Sequence, residues 1–526
     1  MSNAALDVLW RCQPTIGHLV QTMAPDLWRR GLDDRLHLRR RIRPVDWKGR
    51  INLYAPRIQT ISGPSVYDLA ANHLDPLSAY ELMITAPPSQ PFLPNLNDLT
   101  VDAEVVSVIR LYRSLTVTRM RLPFIDDFPM RSAFINNISA IFPGLQHVDT
   151  VDTRVDTVLS TTIAHSSLMS SLTVLTCGDL SADAFIDLSV VSHLREIKFH
   201  WSEDSFDALF ASINSAKTLT HWLRVPPFPS LSHISIDIFA TINSVIPIIV
   251  TINCQLLKSI TLTLRKDNYS ASAADLTSLF HVLRRRSGGK PRILEKLYIR
   301  LCEFANPLSE GMPDASVLSI ASLRPLLSFH CLRHFECSVS AYELEDCDVM
   351  AMAVAWPSIE SLYLFHGYGS RGFSRTTMVG VSALIRHCPE LKSLHLGIDA
   401  TDVALHVPSY LHASPNYSMD TLVFGASPVE SPLAVASFLA AISPRVRVNK
   451  FPLRIPATSY HGSVAPDLAD NYIKRWCRVD AFLRYGVYPR EFSGGHQGSQ
   501  VSTGRKSNFD ADESDLSLTT GTRHPG

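Results

Sequence analysis

The most suggestive spacing for chemistry in this chain is a glycine triplet. SLYLFHGYGSRGFSRTTMVGVSAL (361–384) sets Gly367-x-Gly369-x-x-Gly372 after a strand-like run and before a helix-like one. Glycines in that context let a backbone approach a dinucleotide pyrophosphate. This strand, however, is one copy of a pattern that recurs along the chain, and no second βαβ half follows, so the glycines are read as the turn out of a strand. The patterns G-x-x-x-x-G-K-[ST], H-E-x-x-H and G-x-S-x-G do not occur. The 20 histidines are scattered, and His366 and His395 are expected to be surface or satisfied rings rather than ligands. Nine cysteines, at positions 12, 177, 254, 302, 331, 337, 347, 388 and 477, form no C-x-x-C pair and no zinc-finger spacing. No catalytic site, cofactor or metal is expected, and the chain is read as not an enzyme.

Bulk composition points the same way. Hydrophobic residues make up 46% of the 526 positions and charged residues 19%, the profile of a folded protein. Lys+Arg and Asp+Glu both number 49, so charge implies neither a nucleic-acid nor a membrane partner. Two basic runs, RLHLRRRIRP (35–44) and the RRR at 284–286, are read as solvated helix faces rather than phosphate sites. There is no secretory-type N-terminus, and the most apolar stretch, FATINSVIPIIVTI (239–252), is too short for a membrane span and reads as core. Unframed cysteines suit a reducing compartment, so the expected location is cytoplasmic or nuclear.

What must position any functional residue is a repeat. The pattern L-x-x-L-x-L, with apolar substitutes, appears in eleven copies, at Leu96, Leu145, Leu172, Leu194, Leu231, Leu257, Leu294, Leu332, Ile359, Leu391 and Met419. One further copy is expected near SLTVTRMRL (114–122). Within each copy the last four residues alternate apolar and polar, the period of a strand with one buried face. Several copies follow a proline, as in FPGL, FPSL, WPSI and CPEL.

Between copies the apolar period lengthens toward that of a helix. SAADLTSLFHVLRRR (272–286) puts Leu276, Leu279, Phe280 and Leu283 on one face, with Ser272 and Asp275 spaced as a capping box. TTMVGVSALIRHC (376–388) and SPLAVASFLAAI (431–442) repeat the arrangement, and SFDALFASI (205–213) and SAFINNISAIF (132–142) are further examples. One strand–loop–helix unit buries too little apolar surface to offset the entropy of ordering it, so neighbours must cover its flanks. The expected fold is α/β, a solenoid with a curved parallel sheet, helices on the convex face and a helical N-terminal cap.

The spacing resembles the leucine-rich repeat, L-x-x-L-x-L-x-x-N/C. LEKLYIRLC (294–302) matches it through Cys302, whereas Asp399, Ser202, Ser340 and Ser427 stand in the last slot of other copies, which with the uneven spacing implies an irregular form. The first residues resemble a fungal F-box protein of the leucine-rich-repeat type: ALDVLWR, PTIGHLVQTMAPDLW (14–28) and RIRPVDWKGRINLYAPRIQTI (41–61) place Trp10, Met23, Trp28, Trp47, Tyr54, Ala55, Arg57 and Ile58 where that family has them. The resemblance extends from residue 4 to about 490. It implies a protein-recognition module like the substrate receptor of an SCF-type ubiquitin ligase, acting in ubiquitin-dependent degradation. Leu6, Leu9 and Trp10 would be the remnant of the F-box. In such proteins two preceding helices bind the Skp1 adaptor of the cullin complex. This sequence holds neither, so residues 4–30 are expected to cap the first repeat, and Skp1 and cullin are partners only if those helices lie upstream. The alternative is an interaction scaffold without a ligase.

The candidate binding surface is the concave face of the sheet, where the alternating residues project. It comprises Glu196, Lys198, His200, Lys296, Tyr298, Arg300, His334, Glu336, Ser361, Tyr363, Phe365, Ser393 and His395, and the expected partner is a protein substrate. The sheet is expected to end with VRVNKF (446–451). NYIKRWCRVDAFLRYG (471–486) reads as a closing helix with Ile473, Trp476, Val479 and Phe482 inward. The expected organisation is thus an F-box remnant and cap (1–60), solenoid (61–455), C-terminal capping helix region (456–492) and disordered tail (493–526).

Overall fold

The computed structural model describes residues 2–63, 73–87, 91–101, 109–122, 137–150, 170–201, 211, 227–238, 241–252, 256–264, 272–286, 293–301, 317–338, 341–364, 375–403, 415–425, 427–448 and 466–485. Outside them lie Phe365, the Gly367–Gly372 triplet, the slots at Ser202, Cys302 and Ser340, residues 132–136 of the expected helix at 132–142 (137–141 are helical), all but Ala211 of that at 205–213, and the tail expected from 493.

Each apolar–polar alternation forms a strand. The strands are β1 (Cys12–Gln13), β2 (Thr60–Ile61), β3 (Asp98–Thr100), β4 (Arg119–Arg121), β5 (His147–Asp149), β6 (Val174–Asp179), β7 (Glu196–Trp201) and β8 (His233–Ile238). They continue as β9 (Ser259–Leu264), β10 (Lys296–Leu301), β11 (His334–Cys337), β12 (Ser361–Leu364), β13 (Ser393–Leu396), β14 (Thr421–Val423) and β15 (Arg447–Val448). All 15 join one sheet in chain order, and every pairing is parallel. A parallel link needs a crossover, which the intervening helices and loops supply. β4 lies in the segment where a further copy was expected.

The register aligns equivalent apolar residues into columns. Ile197, Ile234, Ile260, Leu297, Phe335, Leu362, Leu394 and Leu422 are successive partners, and all are buried. Each such side chain, fully buried, contributes about 1.5–3 kcal/mol. The proline-containing lead-ins are tight turns: Leu145, Leu231, Ile359 and Leu391 each donate a backbone N–H to the carbonyl of Phe142, Phe228, Trp356 and Cys388 respectively.

The principal helices are α1 (Asn3–Arg11), α2 (Pro76–Thr85), α3 (Ala182–Ser189), α4 (Ile242–Thr251), α5 (Ala273–Arg286), α6 (Asp346–Ala355), α7 (Met378–His387), α8 (Pro432–Ile442) and α9 (Pro466–Tyr485). α5 starts as its spacing implied, with the Asp275 N–H donating to Ser272 Oγ at 3.0 Å. Leu276, Leu279, Phe280 and Leu283 are buried. α4 lies within the apolar stretch 239–252 read as core, and its Ile242, Val245, Ile248 and Ile249 are buried. α9 turns Trp476 and Val479 inward, leaves Ile473 and Phe482 half-buried, and fixes the Trp476 indole on the Ser427 carbonyl at 2.8 Å.

The N-terminal region departs from the helical reading. The sheet starts within the segment expected to be only a cap: β1 pairs Cys12 with Thr60 and Gln13 with Ile61. Of PTIGHLVQTMAPDLW only Gly17–Val20 is α-helical. The run RLHLRRRIRP is not a helix face at all; Leu36–Leu38 pairs antiparallel with Trp28–Arg30. Within the run Arg40 is half-buried and pairs with buried Asp46 and exposed Asp26, contacts a solvated helix face would not make.

Candidate recognition surface

Alternation in β7 to β13 leaves every second residue on the face opposite the apolar columns. Strand register then decides which of these side chains meet. Tyr298 is the partner of Glu336, Glu336 of Tyr363, and Tyr363 of His395, while Lys296, His334, Ser361 and Ser393 form the adjacent row. Nine of the expected site residues therefore share four neighbouring strands.

Their contacts form a continuous cluster. The Tyr298 ring stacks beside His334 with centroids 6.4 Å apart, and Arg300 Cζ lies 4.8 Å from the Tyr298 centroid. Arg300 Nη2 donates to Glu336 Oε2 at 2.7 Å. Further along, the Tyr363 and His395 rings sit 3.9 Å apart, and the Tyr363 and Ser393 hydroxyls share a hydrogen bond of 3.0 Å. All of these residues are half-buried except Arg300, which is exposed.

Partial burial sets the charge. It pushes the His395 imidazole down to about 4. Burial also lowers His334 and raises the Tyr298 phenol. The bond to Glu336 holds Arg300 more firmly protonated. Near neutral pH the cluster thus presents uncharged rings with one guanidinium–carboxylate pair at its edge. Such a surface suits aromatic and aliphatic contacts in a water-excluding interface.

Glu196, Lys198 and His200 are elsewhere. They lie on β7, separated from the aromatic cluster by β8 and β9, which show Ser235, Ser259, Thr261 and Thr263 on this face. His200 Nε2 is 3.2 Å from Asp237 Oδ2, and a register shift between Thr176 and Asp179 brings Asp179 opposite His200. A bulge of this kind re-aims a side chain across the sheet. Asp179 and Asp237 are buried; Asp237 continues the alternation through Ser235, whereas only the bulge brings Asp179 to this face.

The row at the start of the strands was also missed. The second residue of successive copies reads Lys258, Glu295, Arg333, Glu360, Lys392, Asp420 and Arg447, alternating in sign. Lys258 meets Glu295 at 3.5 Å, and Glu360 holds both Arg333 at 2.8 Å and Lys392 at 2.6 Å. Aligning the copies would have exposed that signal.

Leu6, Leu9 and Trp10 sit on α1, which buries none of its residues. Trp10 stacks on Tyr54 at 4.5 Å, and Arg57 binds the Asp7 carboxylate and the Asn3 carbonyl. Leu9 points away and is 57% exposed.

Among the described residues no group of three or more His, Cys, Asp or Glu side chains is arranged to hold a metal ion, and no helix is long and apolar enough to cross a membrane. No protein-family model matches the chain, and neither does any curated protein with which it was compared.

Proposed function

We propose that this chain is an irregular leucine-rich-repeat solenoid that recognises a protein on the open face of its sheet, as the substrate receptor of an SCF-type ubiquitin ligase does. The reading gives the chain no reaction of its own and puts it in the cytoplasm or nucleus. One observation carries it: the Tyr298–His334 and Tyr363–His395 ring pairs occupy four consecutive strands on the face that no apolar column uses. Tyrosines flanked by arginine are the residue types that dominate interface energetics.

The test is capture of partners by the full chain carrying Tyr298→Ala and Tyr363→Ala together. Loss of the partners with an unchanged thermal transition supports the reading; recovery of the same partners defeats it. A second reading, an interaction scaffold without a ligase, draws on α1, which Tyr54 and Arg57 engage beside the edge strand β1. In that role α1 shields the end of the sheet. Co-expression with Skp1 separates the two: co-purification favours the ligase, its absence the scaffold.

A further inference from the structure

Helix α2 presents apolar residues on both sides. Ser78, Ala79 and Leu82 are its buried residues, yet Leu77, Tyr80 and Ile84 are 80%, 56% and 61% exposed. Those three recur at i, i+3 and i+7, the spacing of a single helical ridge. The segment 36–43 runs alongside: the Leu38 N–H donates to Ser78 Oγ at 3.0 Å, and the Ile42 N–H to Glu81 Oε1 at 3.0 Å. Within it Arg39, Arg41 and Arg43 are exposed and alternate with the less exposed Arg40 and Ile42. Arg40 pairs with Asp26 at 2.8 Å and Asp46 at 2.7 Å. Among the described residues Arg39 and Arg41 form no ion pair, while Arg43 lies by Asp46, which accepts its backbone N–H at 2.8 Å.

We propose that this ridge and its arginine row form a docking surface for an acidic amphipathic helix of another protein. The partner's apolar side chains would lie on Leu77, Tyr80 and Ile84, and its carboxylates on Arg39, Arg41 and Arg43. Charge complementarity selects this occupant. Arg39 and Arg41 lack an ion pair among the described residues, and a guanidinium fork donates two parallel hydrogen bonds to a carboxylate. A ridge of three apolar side chains at helical spacing fits the groove of a second helix. Nucleic acid would engage the arginines but leave the ridge wet. This surface is distinct from the open face of the sheet and stands whether or not that face binds a substrate.

The experiment uses the full chain and a labelled peptide of leucine and glutamate, with leucines at i, i+3 and i+7, followed by fluorescence anisotropy. Polyglutamate of equal length and phosphatidylserine-containing vesicles serve as comparison probes. The expected result is binding of the Leu/Glu peptide well above polyglutamate and vesicles. Leu77→Ser with Ile84→Ser, and separately glutamate at Arg39, Arg41 and Arg43, should each weaken it at least about tenfold, the ratio that ~1.4 kcal/mol sets. None of these side chains is buried, so thermal melts should match the parent; glutamine at the three arginines supplies the same reading if the glutamates disturb folding. Absence of peptide binding, affinity equal to polyglutamate, indifference to either set of substitutions, or vesicle binding in place of peptide binding would each overturn the proposal.

Discussion

Asn416 donates its side-chain amide to the carbonyl of Cys388 at 3.2 Å, inside the protein and from one unit to the preceding one. The same step recurs with different chemistry on either side. The Trp356 indole donates to the Leu326 carbonyl at 3.2 Å, the Cys388 thiol to the Trp356 carbonyl at 3.5 Å, and the Ser443 hydroxyl to the Asn416 carbonyl at 3.0 Å. Trp356 and Cys388 are the residues at which α6 and α7 end, where carbonyls lack helical partners. At Trp356 and Cys388 the following unit therefore adds a second donor to a helix-terminal carbonyl that already accepts a turn N–H, from Ile359 and Leu391 respectively.

Replacing Asn416 with Leu should remove two hydrogen bonds. Its amide is a second donor to the Cys388 carbonyl, beside the Leu391 N–H, and its Oδ1 accepts the Ser418 N–H at 2.7 Å. The net contribution of such a bond is about 0.5–1.5 kcal/mol, so urea unfolding should lose at least ~1 kcal/mol. A loss under ~0.5 kcal/mol would show that these bonds matter little, since ordinary surface changes reach that size.

Gly380 inverts the usual propensity rule. An added Cβ would lie 2.6 Å from Asp346 Oδ1 and 2.9 Å from Thr376 Cγ2. That carboxylate cannot easily retreat, because it accepts the Thr377 and Gly380 N–H groups at 2.7 and 2.9 Å and the Thr377 hydroxyl at 2.7 Å. In an open helix Gly→Ala stabilises by about 1 kcal/mol. Here Gly380→Ala should lower stability instead, and an increase in the denaturation midpoint would contradict the crowding.

Glu360 is the shared anion between Arg333 and Lys392, which together hold its carboxyl below the usual range. Glu360→Lys would set three cations side by side on adjacent strands. The thermal midpoint should fall, and added salt should recover much of the loss because exposed charges are screened. A salt-independent loss would point to packing rather than charge.

His395 should make acid stability distinctive. Burial lowers its folded-state pKa from 6.5 to about 4, so the folded protein favours the neutral ring. Its contribution is complete above the unfolded value and disappears as pH falls through the window from 6.5 to about 4. Chemical denaturation at descending pH should show a shallower decline for His395→Gln than for the parent, carboxylate effects being common to both. Parallel declines would remove His395 from the account, as would an imidazole found by NMR to titrate normally.

Much of this architecture was legible along the chain. L-x-x-L-x-L marks the strands from β3 to β14 because a half-buried strand must alternate, and the apolar period marks α5, α7 and α8. The shortest strands escaped: β1 and β2 have two residues each, too few to display a period. The basic run 35–44 misled because helix-like density of arginines says nothing about Arg40 reaching Asp26 and Asp46, residues that only folding brings to it.

The sequence alone determined which residues alternate inward and outward, since side-chain direction follows from local backbone period. It therefore assigned Tyr298, Arg300, Tyr363 and His395 to one face. Tertiary structure decided which of them touch, because contact across strands depends on register between segments distant in the chain. It also separated His200 from the aromatic cluster, aligned Asp179 with His200 through a bulge, and left the ridge of α2 uncovered. Such outcomes depend on how units stack, a property of neighbours that no single repeat encodes.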